Sequence, residues 1–443
     1  MKKILTAIAI LLLIAMMPLA LFSCDTAEEP TEAPTNAPTE APTSKPTSKP
    51  TSKPTQKPTE KPTEKPTEKE TIDINTVELD ETTYYFDDKN DVAYFKRLGR
   101  TAIDSNKGLT CDFVASGIEF NGVFEGDITL EILCEAKNDN EAYFTVYING
   151  ERMEDTYNGT KRSEGYCHVT QGTNKVKIAK DLERGLYSIR VLKQTESNYA
   201  ITSFKTLECT GLLLDPPADK ELYIEFIGDS LTCGMGSAGD TTIKGGGSAQ
   251  GTNGADWEDG TLGYAFNTAE ELNADFSIIS ESGIGLSGSW FGATMPEFYV
   301  KESYRRSSTK DYDFERVPDL VIINLYTNDR FLDADHNSYK GKLLEKICPD
   351  TKAFIENIRA KYGENVPIVW VGGVWKDTQL DNFFGEVKKA ITQLGAESNG
   401  IYVLEVAQYA ENKQGAEGHP SAAGHQKTKN ELLDFLYEKG LVD

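Results

Sequence analysis

The spacing of apolar positions changes three times along the chain. Residues 4–21 form a nearly continuous apolar run behind Lys2 and Lys3, broken by Pro18. Residues 25–70 carry almost no apolar side chain, and from Pro30 to Pro66 proline recurs at every fourth position, followed by threonine. From about Thr71 to Leu214 the apolar positions alternate with period two, at 127–133, 142–148, 174–178, 186–191 and 201–207. Asn149-Gly150 follows the second of these runs as a hairpin turn. Beyond Glu221 short apolar runs (222–227, 276–279, 320–325, 368–371, 401–406) alternate with amphipathic stretches (264–272, 351–362, 383–394, 422–437). The period-two part predicts an antiparallel β-sandwich, and the alternating part a parallel sheet covered by helices in an α/β/α arrangement.

These changes divide the chain into an export signal (1–24), a Pro/Thr-rich linker (25–70), a β-sandwich domain (71–215) and an α/β/α domain (216–443). The last boundary falls at Asp215-Pro216-Pro217, because paired prolines end regular structure. Leu21-Phe22-Ser23-Cys24 reads as a lipobox, so Cys24 is expected to carry a lipid anchor to the membrane; ordinary cleavage or an uncleaved anchor is the alternative. Proline fixes φ and removes amide donors, so the linker is expected to be extended. At about 3.1 Å per residue it reaches at most about 140 Å. The folded part is therefore expected outside the cytoplasmic membrane, at the cell surface or secreted.

The 443 residues hold 46 Lys plus Arg against 70 Asp plus Glu, a net charge of −24. That balance argues against a nucleic-acid partner, whose phosphates need a basic footprint, and against electrostatic docking on anionic lipid. The seven cysteines include no C-x-x-C pair and no cluster of zinc spacing, so no metal and no cofactor is expected. Disulfide pairing stays open, and Cys233 reads as a packed thiol rather than a nucleophile.

In parallel sheets ligands bind at the carboxyl ends of the strands. Four such ends carry chemistry in chain order. The first runs into Gly228-Asp229-Ser230, which leaves a serine at the sheet edge. The second is followed by Ser282-Gly283-Ile284-Gly285, whose bare amides can meet a ligand oxygen. The third leads to Tyr326-Thr327-Asn328-Asp329, where the Asn328 amide can donate to an oxyanion. The last precedes Gly418-His419-Pro420-Ser421, with a histidine held before a helix start. Taken singly, each is ordinary turn or helix-capping chemistry; together they supply a nucleophile, oxyanion donors and a base.

These four blocks resemble the SGNH/GDSL hydrolase superfamily over residues 221–443. With the preceding β-rich part the chain is similar to carbohydrate esterase family 2, a resemblance that implies a jelly-roll-like sandwich before the hydrolase domain. Arg97-Leu98-Gly99-Arg100-Thr101 and Ser116-Gly117-Ile118-Glu119-Phe120 carry that further likeness. The resemblance implies Ser230 as nucleophile and His419 as general base. It also implies an oxyanion hole formed by the amides of Ser230 and Gly283 and the side chain of Asn328. The implied reaction is removal of O-acetyl groups from plant polysaccharide, 6-O-acetyl glucomannan above all and acetylated xylan as well. Two positions depart from the superfamily pattern. Ala416 stands where an orienting aspartate is usual, which favours a Ser–His dyad, with Glu417 or Asp377 as alternative orienters. Tyr326 stands where glycine is usual and is expected to narrow the cleft or stack on a sugar. Trp290 and Trp375 are candidate sugar platforms; Trp370 is expected in the core, and Trp257 is unassigned. The rival readings are another SGNH esterase or lipase, a wall-glycan deacetylase, or a surface carbohydrate-binding protein.

Overall fold

The computed structural model describes residues 73–137, 140–153, 167–242, 254–331 and 343–443. The export signal with Cys24 and the Pro/Thr linker lie outside the described residues, as does most of the glycine-rich stretch before Trp257. No helix among the described residues is long and apolar enough to cross a membrane. Glu70–Asp443 forms one compact unit containing two sheets.

The first sheet is antiparallel. Its strands are β1 (Asp80–Tyr85), β2 (Lys96–Leu98), β3 (Thr101–Asp104), β4 (Gly108–Cys111), β5 (Gly117–Ala136), β6 (Ala142–Ile148), β7 (Glu151–Arg152), β8 (Cys167–Val169), β9 (Gly172–Lys193) and β10 (Ala200–Leu213), with a short helix α1 (Lys89–Val92) after β1. β5, β9 and β10 run side by side and change outer partners part-way. β10, for example, pairs with β4 through Ser203 and Phe204 and with β1 from Thr206 to Gly211. Register shifts near Phe124, Gly126 and Ile128 bend β5 against β9. Partner exchange and bulges let the long strands curve around a core of Phe86, Phe120, Phe124, Ile128, Ile132, Phe144 and Phe204. The apolar runs at 174–178 and 186–191 prove to be parts of the single strand β9. Asn149 and Gly150, both at positive φ, make the hairpin turn between β6 and β7.

The second sheet holds β11 (Tyr223–Gly228), β12 (Asp275–Ser280), β13 (Leu320–Asn324), β14 (Ile368–Gly372) and β15 (Ile401–Glu405), all parallel in the order β12-β11-β13-β14-β15. Its helices are α2 (Ser230–Cys233), α3 (Tyr264–Glu271), α4 (Met295–Tyr299), α5 (Leu344–Tyr362), α6 (Thr378–Gln393) and α7 (Ala422–Glu438). Alternate strand residues serve opposite faces. Ile227, Ile323 and Trp370 pack with Phe354 of α5 and Phe383 of α6. Phe226, Ile322 and Val371 pack with Ala265 of α3 and Leu432 of α7. Burial on both faces is why these strands read as unbroken apolar runs.

The two sheets share their cores. The β-rich region contributes Leu98, Val114 and Leu192 to one face of the parallel sheet and Phe113 to the other. Glu225, fully buried within β11, lies 3.5 Å from the Arg100 guanidinium and accepts hydrogen bonds from the Tyr299 and Tyr362 hydroxyls. Arg100 itself donates to the carbonyls of Tyr299 and Lys301 and lies over the Tyr312 ring at 3.9 Å. A second buried link is the two-pronged contact of Arg306 with Asp112, at 2.6 and 2.8 Å.

Candidate active site

Register places three of the four sequence blocks side by side. Gly228, the last residue of β11, pairs with Ser280 of β12 and with Asn324 of β13. The loops that follow therefore leave the sheet edge together. Asp229 caps α2 by accepting from the Leu231 N–H at 3.0 Å, and Ser230 opens that helix. His419 arrives from the far end of the chain, just before the Ser421 cap of α7. Its Nε2 lies 2.9 Å from the Ser230 hydroxyl oxygen.

The histidine loop is fitted against α2 through glycine. Gly236 has φ +81°, and a Cβ there would come within 2.7 Å of the Ala416 carbonyl and the His419 Cβ. The Gly236 carbonyl accepts from the Ala416 N–H, and the His419 carbonyl accepts from the Gly415 N–H at 2.9 Å. Trp375 lies beside the imidazole, ring centres 4.8 Å apart, and donates its indole N–H to the Asn412 carbonyl. Burial pushes the His419 pKa down to about 4, against the backbone of Glu417 and Ala416, which raises it. The ring is thus neutral near pH 7, the form that can take a proton from a hydroxyl.

Behind the ring, Nδ1 makes no regular hydrogen bond, and among the described residues no carboxylate reaches it. Ala416, at the position usual for the orienting acid, is buried against Trp257. Asp377, one of the expected alternatives, is engaged elsewhere: it caps α6 by accepting from Gln379 and Leu380 and pairs with Arg330. Glu417 meets the ring through its backbone.

Gly283 takes φ +82°, and a Cβ at that position would lie 3.1 Å from the Trp290 ring. Asn328 donates its side-chain amide to the Ile284 carbonyl at 2.8 Å, tying the third block to the second. Asp329 completes that tie by accepting from the N–H groups of Leu286, Ser287 and Gly288 at 2.7–3.0 Å. Burial pushes its pKa up to about 6 against those three bonds. Trp290 is 53% exposed and lies beside Gly283. Tyr326 does not line the cleft as expected. It is 3% exposed, stacks on Phe384 at 5.4 Å, and accepts from the Gly373 N–H through its hydroxyl. Its φ of +96° is one that glycine adopts without strain, which accounts for the usual residue there. A ring held in the core presents no face to a sugar. Trp370 is buried in its strand, and Trp257 is buried as well.

Cys233 is a buried thiol whose pKa burial raises well above the ordinary value, so it offers no thiolate. Four further groups belong to the site's surroundings: Glu196 and Ser197 from the loop after β9, and the Glu281–Arg305 ion pair. No apolar period or motif marks the first two. A cleft of about 380 Å³ lined by Arg97, Tyr223, Asp275 and Arg316 lies where β11 and β12 begin, at the opposite end from Ser230.

Residues 226–427 match the GDSL-like lipase/acylhydrolase family. The chain's relatives by sequence and fold are carbohydrate esterases of family 2. The chain is 28% identical over 346 residues to the cellulase/esterase CelE of Acetivibrio thermocellus, a match covering 77% of this chain and 39% of the relative. It is 28% identical over 239 residues to an acetylxylan esterase / glucomannan deacetylase of Cellvibrio japonicus, covering 52% of this chain and 60% of that protein. The matches thus span less than two thirds of either relative, 39% of one and 60% of the other. A family two carbohydrate esterase from Clostridium thermocellum, solved in complex with cellohexaose, superposes with a TM-score of 0.65 at 25% identity, over 79% of this chain and all of that one. An acetyl xylan esterase from the rumen bacterium Butyrivibrio proteoclasticus shares the fold, with a TM-score of 0.67 at 20% identity over 82% of this chain and all of that one.

Proposed function

We propose that this chain is a serine-dependent carbohydrate esterase that removes O-acetyl groups from plant polysaccharide at or beyond the cell surface. The observation that carries the reading is the 2.9 Å contact between Ser230 and a neutral, half-buried His419 at the carboxyl edge of the parallel sheet. His419 takes the hydroxyl proton as Ser230 attacks the ester carbonyl. The amides of Ser230 and Gly283 and the Asn328 side chain receive the oxyanion, and water then releases the acyl group. With no carboxylate behind Nδ1, the pair works as a dyad. The exposed Trp290 ring is the sugar platform, whereas Trp375 serves as the wall that holds His419. The likeness to an acetylxylan esterase / glucomannan deacetylase supports glucomannan and xylan as substrates. The leading segment supports a surface lipoprotein anchored at Cys24.

Acetate release by the full chain from acetylated glucomannan, acetylated xylan, O-acetylated bacterial wall glycan and a long-chain ester tests this reading. Fastest release from glucomannan is expected, with loss of the 6-O-acetyl signals first. Preference for the wall glycan or the long-chain ester would move the chain to another esterase class.

The pH profile follows from the histidine. Protonation of Nε2 removes the base, so activity is lost as pH falls through the pKa of His419. Because burial lowers that pKa from 6.5 to about 4, kcat/KM on a small acetyl ester stays high at pH 6 and is lost on approach to pH 4. An acid limb centred at or above 6.5 would contradict the burial described for the ring.

A further inference from the structure

We propose that Glu196 is a positioning residue for the oxyanion loop: its carboxyl group, supplied by the β-rich region, fixes the Ser282 N–H and thereby the adjacent amide of Gly283. The inference rests on the serine-hydrolase reading of Ser230 and Gly283.

One oxygen of Glu196 accepts from the Ser282 backbone N–H and from the Cys233 thiol, the latter at 3.2 Å. It thus joins the loop after β12 to the helix that Ser230 opens, three residues beyond the serine. Ser197, the next residue, donates its hydroxyl to Glu281 at 2.6 Å, and Arg305 holds the other oxygen of Glu281 at 2.7 Å. Two consecutive residues of the β-rich region therefore grip two consecutive residues of the oxyanion loop. Glu196 is itself fixed, since its own N–H donates to the Glu258 carboxyl group at 2.5 Å. All three glutamates are fully buried.

The chemistry explains why the acceptor comes from outside. A loop that turns an amide toward a developing oxyanion must have its neighbouring N–H satisfied, because an unpaired buried donor is costly. A carboxyl oxygen delivered from the second sheet does this without using the loop's own carbonyls. Burying three acids together is itself costly. Burial pushes the Glu196 pKa up to about 7 and that of Glu258 well above the ordinary value. The cations facing the cluster are Arg305, paired with Glu281, and the buried Lys193, which donates to the carbonyls of Asp112, Glu196 and Ala200. An apolar side chain would fill this volume at lower cost. What it cannot do is hold Ser282.

The test is steady-state kinetics on a small acetyl ester with the full chain and its Glu196→Ala, Glu196→Gln and Ser230→Ala variants, each checked for a cooperative melt. Glu196→Ala is expected to lower kcat by about 10- to 100-fold, the scale for a displaced or missing donor, with KM changed by no more than about twofold. Glu196→Gln keeps an oxygen within reach of Ser282 and is expected to recover most of that loss. A folded Glu196→Ala with wild-type kcat overturns the proposal, as does a Glu196→Gln variant that falls as far as the alanine. If the alanine variant does not fold, Glu196→Asp replaces it. There the acceptor is drawn back by one carbon, and wild-type kcat in that folded variant overturns the proposal equally. Retained activity in Ser230→Ala would overturn the serine reading itself, a result separate from any seen at Glu196.

Discussion

Replacing His419 by alanine is expected to lower kcat on a small acetyl ester by on the order of 10⁴-fold or more, and Ser230→Ala by a similar factor. The double variant should fall no further, because the two side chains perform one proton transfer and neither acts without the other. The imidazole is oriented by packing rather than by a charge: Trp375 on one side, the Gly236 contact beneath, and only backbone near Nδ1. Removing the ring therefore removes the whole base function while leaving the cleft and the oxyanion donors in place, so KM should change little. A folded His419→Ala or Ser230→Ala variant retaining more than about a tenth of wild-type kcat would contradict the assignment.

The second large effect is on stability. Arg100→Ala leaves Glu225 buried without its cation, a change that typically costs about 3–5 kcal/mol. Burial already raises the Glu225 pKa, with Arg100 the principal group opposing it. Without Arg100 the folded-state pKa rises further above the unfolded value, so the carboxyl group must be protonated to stay inside. A raised folded-state pKa gives stability at low pH that is lost as pH rises through it. The variant should therefore be more destabilised at pH 8 than at pH 5, and Glu225→Gln in the same chain should restore part of the loss. Denaturant midpoints measure both. A loss below about 1 kcal/mol would place the pair with ordinary surface contacts.

The parallel sheet was legible because its strands are buried on both faces, and the apolar runs end within a residue or two of the observed strands. Helix α5 starts at Leu344, seven residues before the expected start at 351, because Pro349 reads as a breaker yet sits within its early turns. β9 read as two strands because its bulged middle is polar. Among site residues, those on the four strand ends could be found, since each follows a recognisable strand. Tyr326 was misjudged because residue type does not reveal which way a loop side chain turns; here the core and the Gly373 N–H claim it. Glu196 carried no signal at all. Its contact joins residues 86 positions apart, across the two sheets.

The most direct test of the central claim is acetate release from acetylated glucomannan by the full chain and by a folded Ser230→Ala variant. The account predicts release by the parent chain and none above background by the variant. Equal release by both, or none by either while the parent chain binds the polymer, would contradict it.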